Sequence, residues 1–377
     1  MKPIYLDYNA TTPVAPEVAD AMMPYLLEHF GNPSSSHAYG VETRRAVEQA
    51  RRGVAGLLQC EPDEIVFTSS GSESNNTAIQ GVALAHRDRG DHIVTTAVEH
   101  PAVIEVCRFL ETQGFRTTCV SVDEHGLVNV EELERALTPA TILITVMHAN
   151  NEVGTVQPVA EISRLAHKRG IPLHTDAAQS VGKIPTRVDE LGVDLLSVAG
   201  HKMYVPKGIG ALYVRRGTRM QKLIHGAEHE GNRRAGTENV LEIVGLGRGA
   251  EVAARDLDKN ARHLQTLRDR LHRALERALT GVKLNGHPVK RLPNTLNVGF
   301  RGVEANALLS LIDGVAASPG AACHSGETRV SRVLEAMRVP MEYAMGAVRF
   351  STGRETSADD VDRAAELVVT AVNQLRS

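Results

Sequence analysis

Three short stretches of this sequence carry residues that could do chemistry together. Phe67-Thr68-Ser69-Ser70-Gly71-Ser72-Glu73 closes an apolar run and opens a helical one, gathering hydroxyls, a glycine and free backbone N–H groups at a helix N-terminus. Such a terminus cradles a phosphate by dipole and by donor count, and it serves equally well as an ordinary helix cap. His174-Thr175-Asp176-Ala177-Ala178-Gln179 places an acid at the end of the run Leu173 to Thr175. A carboxylate there could hold a heteroaromatic nitrogen protonated, although turns and caps are the commoner use of Asp. Ser197-Val198-Ala199-Gly200-His201-Lys202 ends the next run with a lysine beside glycine and histidine, and alone that lysine reads as a solvated charge. Together, a phosphate cradle, an acid for a pyridine nitrogen and a lysine able to form an imine are the three things pyridoxal phosphate requires of a protein.

The segments that must position these groups alternate in character from about Val18 to Gly217. Short apolar runs fall at Glu64 to Thr68, His92 to Thr96, Thr117 to Val122, Thr141 to Met147, Leu173 to Thr175, Asp194 to Val198 and Gly210 to Val214, most of them separated by helical stretches such as Val130 to Leu137 and Val159 to Arg169. Strands alternating with helices predict a mainly parallel sheet covered on both faces, and ligands of such sheets bind outside the carboxyl ends of the strands. Beyond Gly231, leucines at 257, 264, 267, 271, 275 and 279 trace one face of a long charged helix that suits a connector. A smaller α+β segment follows: a strand over Asn294 to Phe300, a helix over Glu304 to Leu311, a Gly/Ser-rich loop over Ser318 to Gly326, a strand over Ala347 to Ser351, and a last helix capped by Ser357 with Asp360. The expected organisation is a large unit over residues 16–255 and a small one made of 1–15 and 256–377, with a mobile loop at about 318–332.

Composition narrows the function classes. Of 377 residues, 42% are hydrophobic and 23% charged, which excludes disorder and collagen-like repeats. The net charge of −3, without a block of basic residues, argues against nucleic acid as a partner. The longest apolar run, Ile142 to Met147, is far short of the roughly 18 residues of a membrane span, and the first residues have no signal-peptide core. A cytoplasmic protein without membrane contact is expected. Cys60, Cys107, Cys119 and Cys323 form no CxxC pair, so a reducing compartment fits and no disulfide framework or zinc site is read. Cys107 and Cys119, at helical and strand spacing, are expected as small buried hydrophobes, as is Cys60. His225 and His229 have the i, i+4 spacing of half a metal site, but their glycine-rich surroundings predict a loop near the cofactor and no metal.

Motifs along nearly the whole chain resemble the NifS-like cysteine desulfurases, class V pyridoxal-phosphate enzymes, and the closely related selenocysteine lyases. They are Tyr5-Leu6-Asp7-Tyr8-Asn9-Ala10-Thr11-Thr12, Gly31-Asn32-Pro33-Ser34-Ser35, Glu73-Ser74-Asn75-Asn76, His148-Ala149-Asn150-Asn151-Glu152, Gly200-His201-Lys202 and Arg349-Phe350-Ser351. The resemblance implies the fold type I architecture: a mainly parallel seven-stranded sheet in a large domain, plus a smaller α+β domain. It implies that Lys202 carries the cofactor and moves the Cα proton, that Asp176 pairs with the pyridinium nitrogen, that Gln179 and Asn151 bond the ring hydroxyl oxygen, and that His100 stacks on the ring. By the same resemblance Gly71, Ser72 and His201 hold the phosphate, Thr237 reaches the phosphate of the other subunit in an obligate homodimer with shared sites, and Arg349 with Asn32 receives the substrate carboxylate.

Cys323 stands in a run of small residues, Ser318 to Gly326, with no apolar stripe to bury it. The family's sulfur-accepting cysteine falls in this run, so the resemblance implies that the Cys323 thiolate takes sulfur from L-cysteine as a persulfide and leaves L-alanine. His324 is a neighbouring candidate for activating the thiol. The persulfide would supply iron–sulfur cluster or other thio-cofactor assembly through an acceptor or scaffold protein. Selenocysteine lyase, acting on L-selenocysteine, is the nearest alternative, and a non-enzymatic docking platform of a sulfur-transfer complex is one of another class. Two departures stand out. Ala199 replaces a serine that bonds the phosphate in many relatives, and Val205 stands at a usual glycine, where a β-branched residue cannot take positive φ without strain; the backbone there is expected to be extended or shifted.

Overall fold

The computed structural model describes residues 3–324 and 327–377, and side chains outside 321–329. A short strand, β1 (Ile4–Tyr5), precedes seven that the apolar runs form: β2 (Ile65–Thr68), β3 (His92–Thr96), β4 (Arg116–Val120), β5 (Thr141–Thr145), β6 (Leu173–Asp176), β7 (Leu195–Ala199) and β8 (Gly210–Val214). Across the sheet their order is β2-β8-β7-β6-β5-β3-β4. β8 is antiparallel to both neighbours and the other pairings are parallel, so the expected mainly parallel seven-stranded sheet is present.

Successive side chains of a strand point to opposite faces, and both faces here are apolar. Ile93, Leu143 and Leu195 pack with Ile79, Val82, Val103 and Leu110 from helices Gly71–Ala85 and Pro101–Thr112. Their neighbours Val94, Ile144 and Leu196 pack on the other side with Val54, Ile162 and Leu246. Burial on both faces is why these strands read as continuous apolar runs rather than as alternation. Cys119 departs from expectation: it is exposed, because β4 is the last strand of the sheet and its outer surface is only partly covered. Cys107 is buried and Cys60 half-buried, and burial pushes both thiols up to about 12.

The long helix runs from Val240 to Ala278, 39 residues and about 58 Å at 1.5 Å per residue. Its first half gives Ile243, Leu246 and Ala250 to the core of the large sheet. Its second half gives Leu267, Leu271 and Leu275 to a separate core with Leu296, Val298, Phe350 and Val368. That second core lies on a sheet of order β12-β15-β10-β9, formed by β9 (Val282–Asn285), β10 (Thr295–Phe300), β12 (Ser318–Pro319) and β15 (Ala347–Ser351), while β11 (Val315–Ala316) pairs with β1. The last helix, Ala358–Arg376, has the expected capping box of Ser357 and Asp360.

The segment expected as a loop from Ser318 to Gly326 is largely extended and paired. Ser318 and Pro319 pair with Arg349 and Val348, and β13 (Ala321–His324) forms an antiparallel hairpin with β14 (Glu327–Val330). Small residues gave no strand signal there, but the ladder partner supplies it through Thr328 and Val330, which are β-branched. The Cys323 side chain, and with it the expectation placed on it, lies outside the described residues. Val205 avoids positive φ as expected: the left-handed residue is Tyr204, at φ 62°. No helix among the described residues is long and apolar enough to cross a membrane.

Candidate active site

The carboxyl ends of β3, β5, β6 and β7 open into a cavity of about 400 Å³. Nine of the residues singled out from the sequence line it: Gly71, Ser72, His100, Asn151, Asp176, Gln179, His201, Lys202 and Arg349. Eight of them stand at or shortly after the carboxyl end of a strand of the large sheet, and Arg349 reaches in from the middle of β15 in the smaller sheet, so the two sheets bring together groups spread over most of the chain. Asn32 and Thr237 are not in its walls. Asn32 spends its Oδ1 on the Ser34 N–H at 2.9 Å, a local turn, and Thr237 lines a separate cleft with Ser69, Arg234 and Glu238. His225 and His229 lie in irregular chain, not on a helix, and neither lines the cavity.

Lys202 follows β7 in a single 3-10 turn. Its Nζ donates to the carbonyls of Asn9 at 2.6 Å and Ala10 at 2.7 Å. Burial, and then the cation of Arg349, push its pKa down to about 8 against the pull of Asp7 and Asp176, which brings the amine into the range where it exchanges protons near neutral pH. Asp176 ends β6 and is 6% exposed. Its Oδ2 accepts from Asn75 Nδ2 at 2.8 Å and its Oδ1 from the Ala178 N–H at 2.9 Å, so the carboxylate is held in one orientation. His100 caps helix Pro101–Thr112, its Nδ1 accepting from the Ala102 N–H at 3.1 Å. Desolvation by the cavity walls lowers its pKa and Lys202 adds to this, while Asp176 opposes. His201 is pushed down to about 4 by burial and then by Lys202, Lys207 and Lys183, so its ring is neutral.

The helix Gly71–Ala85 points its N-terminus at the cavity. Ser70 Oγ caps it by accepting from the Glu73 N–H at 3.1 Å, while the N–H groups of Gly71 and Ser72 have no intrahelical partner. A Cβ at Gly71 would stand 3.1 Å from Ala199 Cβ, so glycine keeps this backbone open. On the opposite wall, Arg349 Nη1 donates to Asn151 O at 3.0 Å, and Nη2 to Asp7 Oδ1 at 2.8 Å and Ser318 Oγ at 2.9 Å. Buried Asn75 Oδ1 and Arg349 Nε have no hydrogen-bond partner among the described residues. An amine of lowered pKa, a fixed carboxylate, a neutral imidazole and an open helix N-terminus around one cavity fit pyridoxal phosphate. The departure at Ala199 removes one hydroxyl from the cradle and leaves its backbone donors in place.

Sequence reasoning missed several residues here. Asn9, 1% exposed, is a hub: its carbonyl accepts from Lys202 and Gln179, and its side chain joins Asn151 O, Thr295 Oγ1 and Asn294 Nδ2. Asp7 orients Arg349, and Asn75 orients Asp176; both stand inside motifs quoted above, which was their available signal. Glu99, next to His100, is pushed up to about 8 by burial. It accepts from Thr96 Oγ1 at 2.7 Å and from the Met147 N–H at 2.9 Å, tying the ends of β3 and β5 together beneath His100.

The family model of aminotransferase class-V matches residues 4–364. The cysteine desulfurase IscS of Dictyoglomus turgidum is 49% identical over 99% of this chain and 95% of its own length, and that of Methanosarcina thermophila 47% identical over 100% and 93%. Among solved structures, a NifS-like protein superposes with a TM-score of 0.93 at 37% identity, covering 99% of this chain and 100% of that one. A structure described as SspA in complex with cysteine gives 0.82 at 37% identity, over 92% and 98%. The chain belongs to the class-V aminotransferase family.

Proposed function

We propose that this chain is a pyridoxal-phosphate-dependent cysteine desulfurase that converts L-cysteine to L-alanine and takes the sulfur onto Cys323 as a persulfide. The observation that carries the reading is the convergence of Lys202, Asp176, His100 and Arg349 on one cavity, in a chain whose full-length relatives are named cysteine desulfurases. Those names favour the desulfurase over selenocysteine lyase and over a platform without activity. When bound, pyridoxal phosphate supplies an electron sink that acidifies the Cα–H of an amino acid. Arg349, held by Asp7 and the Asn151 carbonyl, presents its guanidinium to the substrate carboxylate. Lys202 moves the Cα proton, Asp176 holds the proton on the ring nitrogen, and Gln179 and Asn151 face the ring oxygen. At Cys323 the substrate's Cβ–S bond breaks as an S–S bond forms, the thiol proton and the released electron pair staying with the alanine product, so cysteine plus enzyme thiol balances alanine plus persulfide.

The division into a unit over 16–255 and one made of 1–15 and 256–377 belongs to the same proposal, as does delivery of the persulfide to an acceptor or iron–sulfur scaffold protein. A homodimer is supported by the placement of Thr237, to which the resemblance gives the phosphate of the other subunit and which lies away from the cavity of its own chain. Beside Asn32, Phe30 is 80% and Tyr39 59% exposed, their rings stacked at 5.4 Å. The test is production of alanine and sulfide from L-cysteine with a reductant, and of selenide from L-selenocysteine. Alanine and sulfide that vanish with Cys323→Ala are expected; selenide alone, retained in that variant, would establish the lyase instead.

A further inference from the structure

Lys183 lies four residues after Gln179 and is buried, at 6% exposure. Burying an ammonium costs several kcal/mol unless a partner compensates, yet no ion pair to Lys183 is found among the described residues. The charged groups facing it, Lys202 and Arg349, are both cations, and burial together with them pushes it down to about 7. Its Nζ makes one well-defined bond, to Gln179 Oε1 at 3.0 Å. At the other end of that amide, Gln179 Nε2 donates to the Asn9 carbonyl at 3.0 Å, the acceptor that Lys202 Nζ also uses at 2.6 Å. Lys183 also borders a small cavity together with Lys202, Tyr8, Tyr204 and Arg354.

Below about pH 7 Lys183 is an ammonium, which donates and never accepts, whereas a carboxamide can present either end. Facing Lys183, Gln179 must turn its oxygen inward, and its NH₂ then supplies one N–H to Asn9 and a second to the cavity. We infer that Lys183 is a positioning residue for the cofactor: it fixes and polarises the Gln179 amide so that an N–H is offered to the ring oxygen. This rests on the reading of Gln179 as a partner of that oxygen. A donor chain from a cation strengthens the last hydrogen bond in it, which stabilises the oxygen as an anion and makes the neighbouring imine easier to deprotonate.

The test is the midpoint of the pH titration of the bound cofactor's visible absorbance, measured on the holoenzyme for Lys183→Met, Gln179→Leu and the double variant. An apolar side chain of similar volume is tolerated where a buried charge stood, and melting of each apoprotein reports general damage separately. Each single change is expected to raise the midpoint by about one unit, roughly tenfold in the proton equilibrium, with the double variant raising it no further, as for two residues acting through one bond. A midpoint moved by Gln179→Leu but not by Lys183→Met, or additive shifts, overturns the role of Lys183 and leaves the ring-oxygen reading standing. If neither variant moves it, the reading of Gln179 itself fails and the inference with it. Should Lys183→Met not fold, Lys183→Gln replaces it in the same cycle with the same required non-additivity.

Discussion

His174 and His148 are fully enclosed beside the cofactor site, and their ring nitrogens bond hydroxyls rather than carboxylates. His174 Nδ1 meets Thr145 Oγ1 at 2.8 Å and Nε2 meets Ser197 Oγ at 2.9 Å; His148 Nδ1 meets Ser180 Oγ at 2.9 Å. Burial pushes His174 down to about 3 and His148 to about 4 from an ordinary 6.5. Between pH 6.5 and those values the unfolded chain binds the proton and the folded one does not, so stability falls as the pH is lowered through this window. Over the roughly 1.5 pH units from 6.5 down to 5 each histidine therefore costs the folded state about 2 kcal/mol, at about 1.36 kcal/mol per pH unit. Carboxylates titrate in the same range, so the clean assay is a difference: urea unfolding of wild type and His174→Gln at pH 7.5 and pH 5. The variant is expected to be the less stable at pH 7.5, with the gap closing by about 2 kcal/mol at pH 5 because its residue 174 has no proton to refuse. A gap that stays constant would show that His174 takes up its proton in the folded state and would refute the argument from burial.

One further substitution probes the wall of the site and another a buried ion pair outside it. Arg349→Lys keeps a cation beside Asp7 but loses the planar fork that also reaches Asn151 O and Ser318 Oγ. A charge-assisted hydrogen bond of about 1.5–3 kcal/mol corresponds to a roughly ten- to hundredfold fall in kcat/KM for L-cysteine, carried mainly by KM; an unchanged KM in steady-state alanine production would remove Arg349 from the carboxylate site. Glu230→Gln breaks a buried pair in which Arg51 Nη1 and Nη2 lie 2.8 and 2.9 Å from the carboxylate, which also accepts from the Phe67 N–H. Leaving the guanidinium with only the partly exposed Glu48, 3.2 Å from its Nε, as counter-ion should cost about 3–5 kcal/mol in urea unfolding, and Arg51→Met in the same chain should recover most of it; a loss below about 1 kcal/mol would show that the pair is already solvated.

What could be read from the sequence follows from how locally each feature is encoded. Most of the strands were legible because a strand buried on both faces reads as an apolar run, and Lys202 and Asp176 were legible because each stands at the end of such a run, where an α/β sheet opens, whereas His100 came only from the family motif. Cys119 misled because an edge strand has the same residue pattern as its neighbours, and exposure is decided by sheet order, which composition does not carry. The hairpin of β13 and β14 was missed because small residues become strand only through their pairing partner.

The residues that orient the site were the least legible, and the reason is sequence distance. Asp7 and Arg349 are 342 positions apart, and Asn9 reaches Gln179 and Lys202 across 170 and 193. No local period links such pairs; they meet because β1, beside β11, carries the N-terminal segment to the edge of the cavity. Lys183 shows the limit most sharply. In the sequence it is one lysine among 42 basic residues, whose default is solvent. Only its burial between two other cations turns its single bond to Gln179 into an argument about the cofactor. The chemical groups of the site are therefore written at strand ends, whereas the charges that tune them depend on which distant segments the fold packs behind those ends.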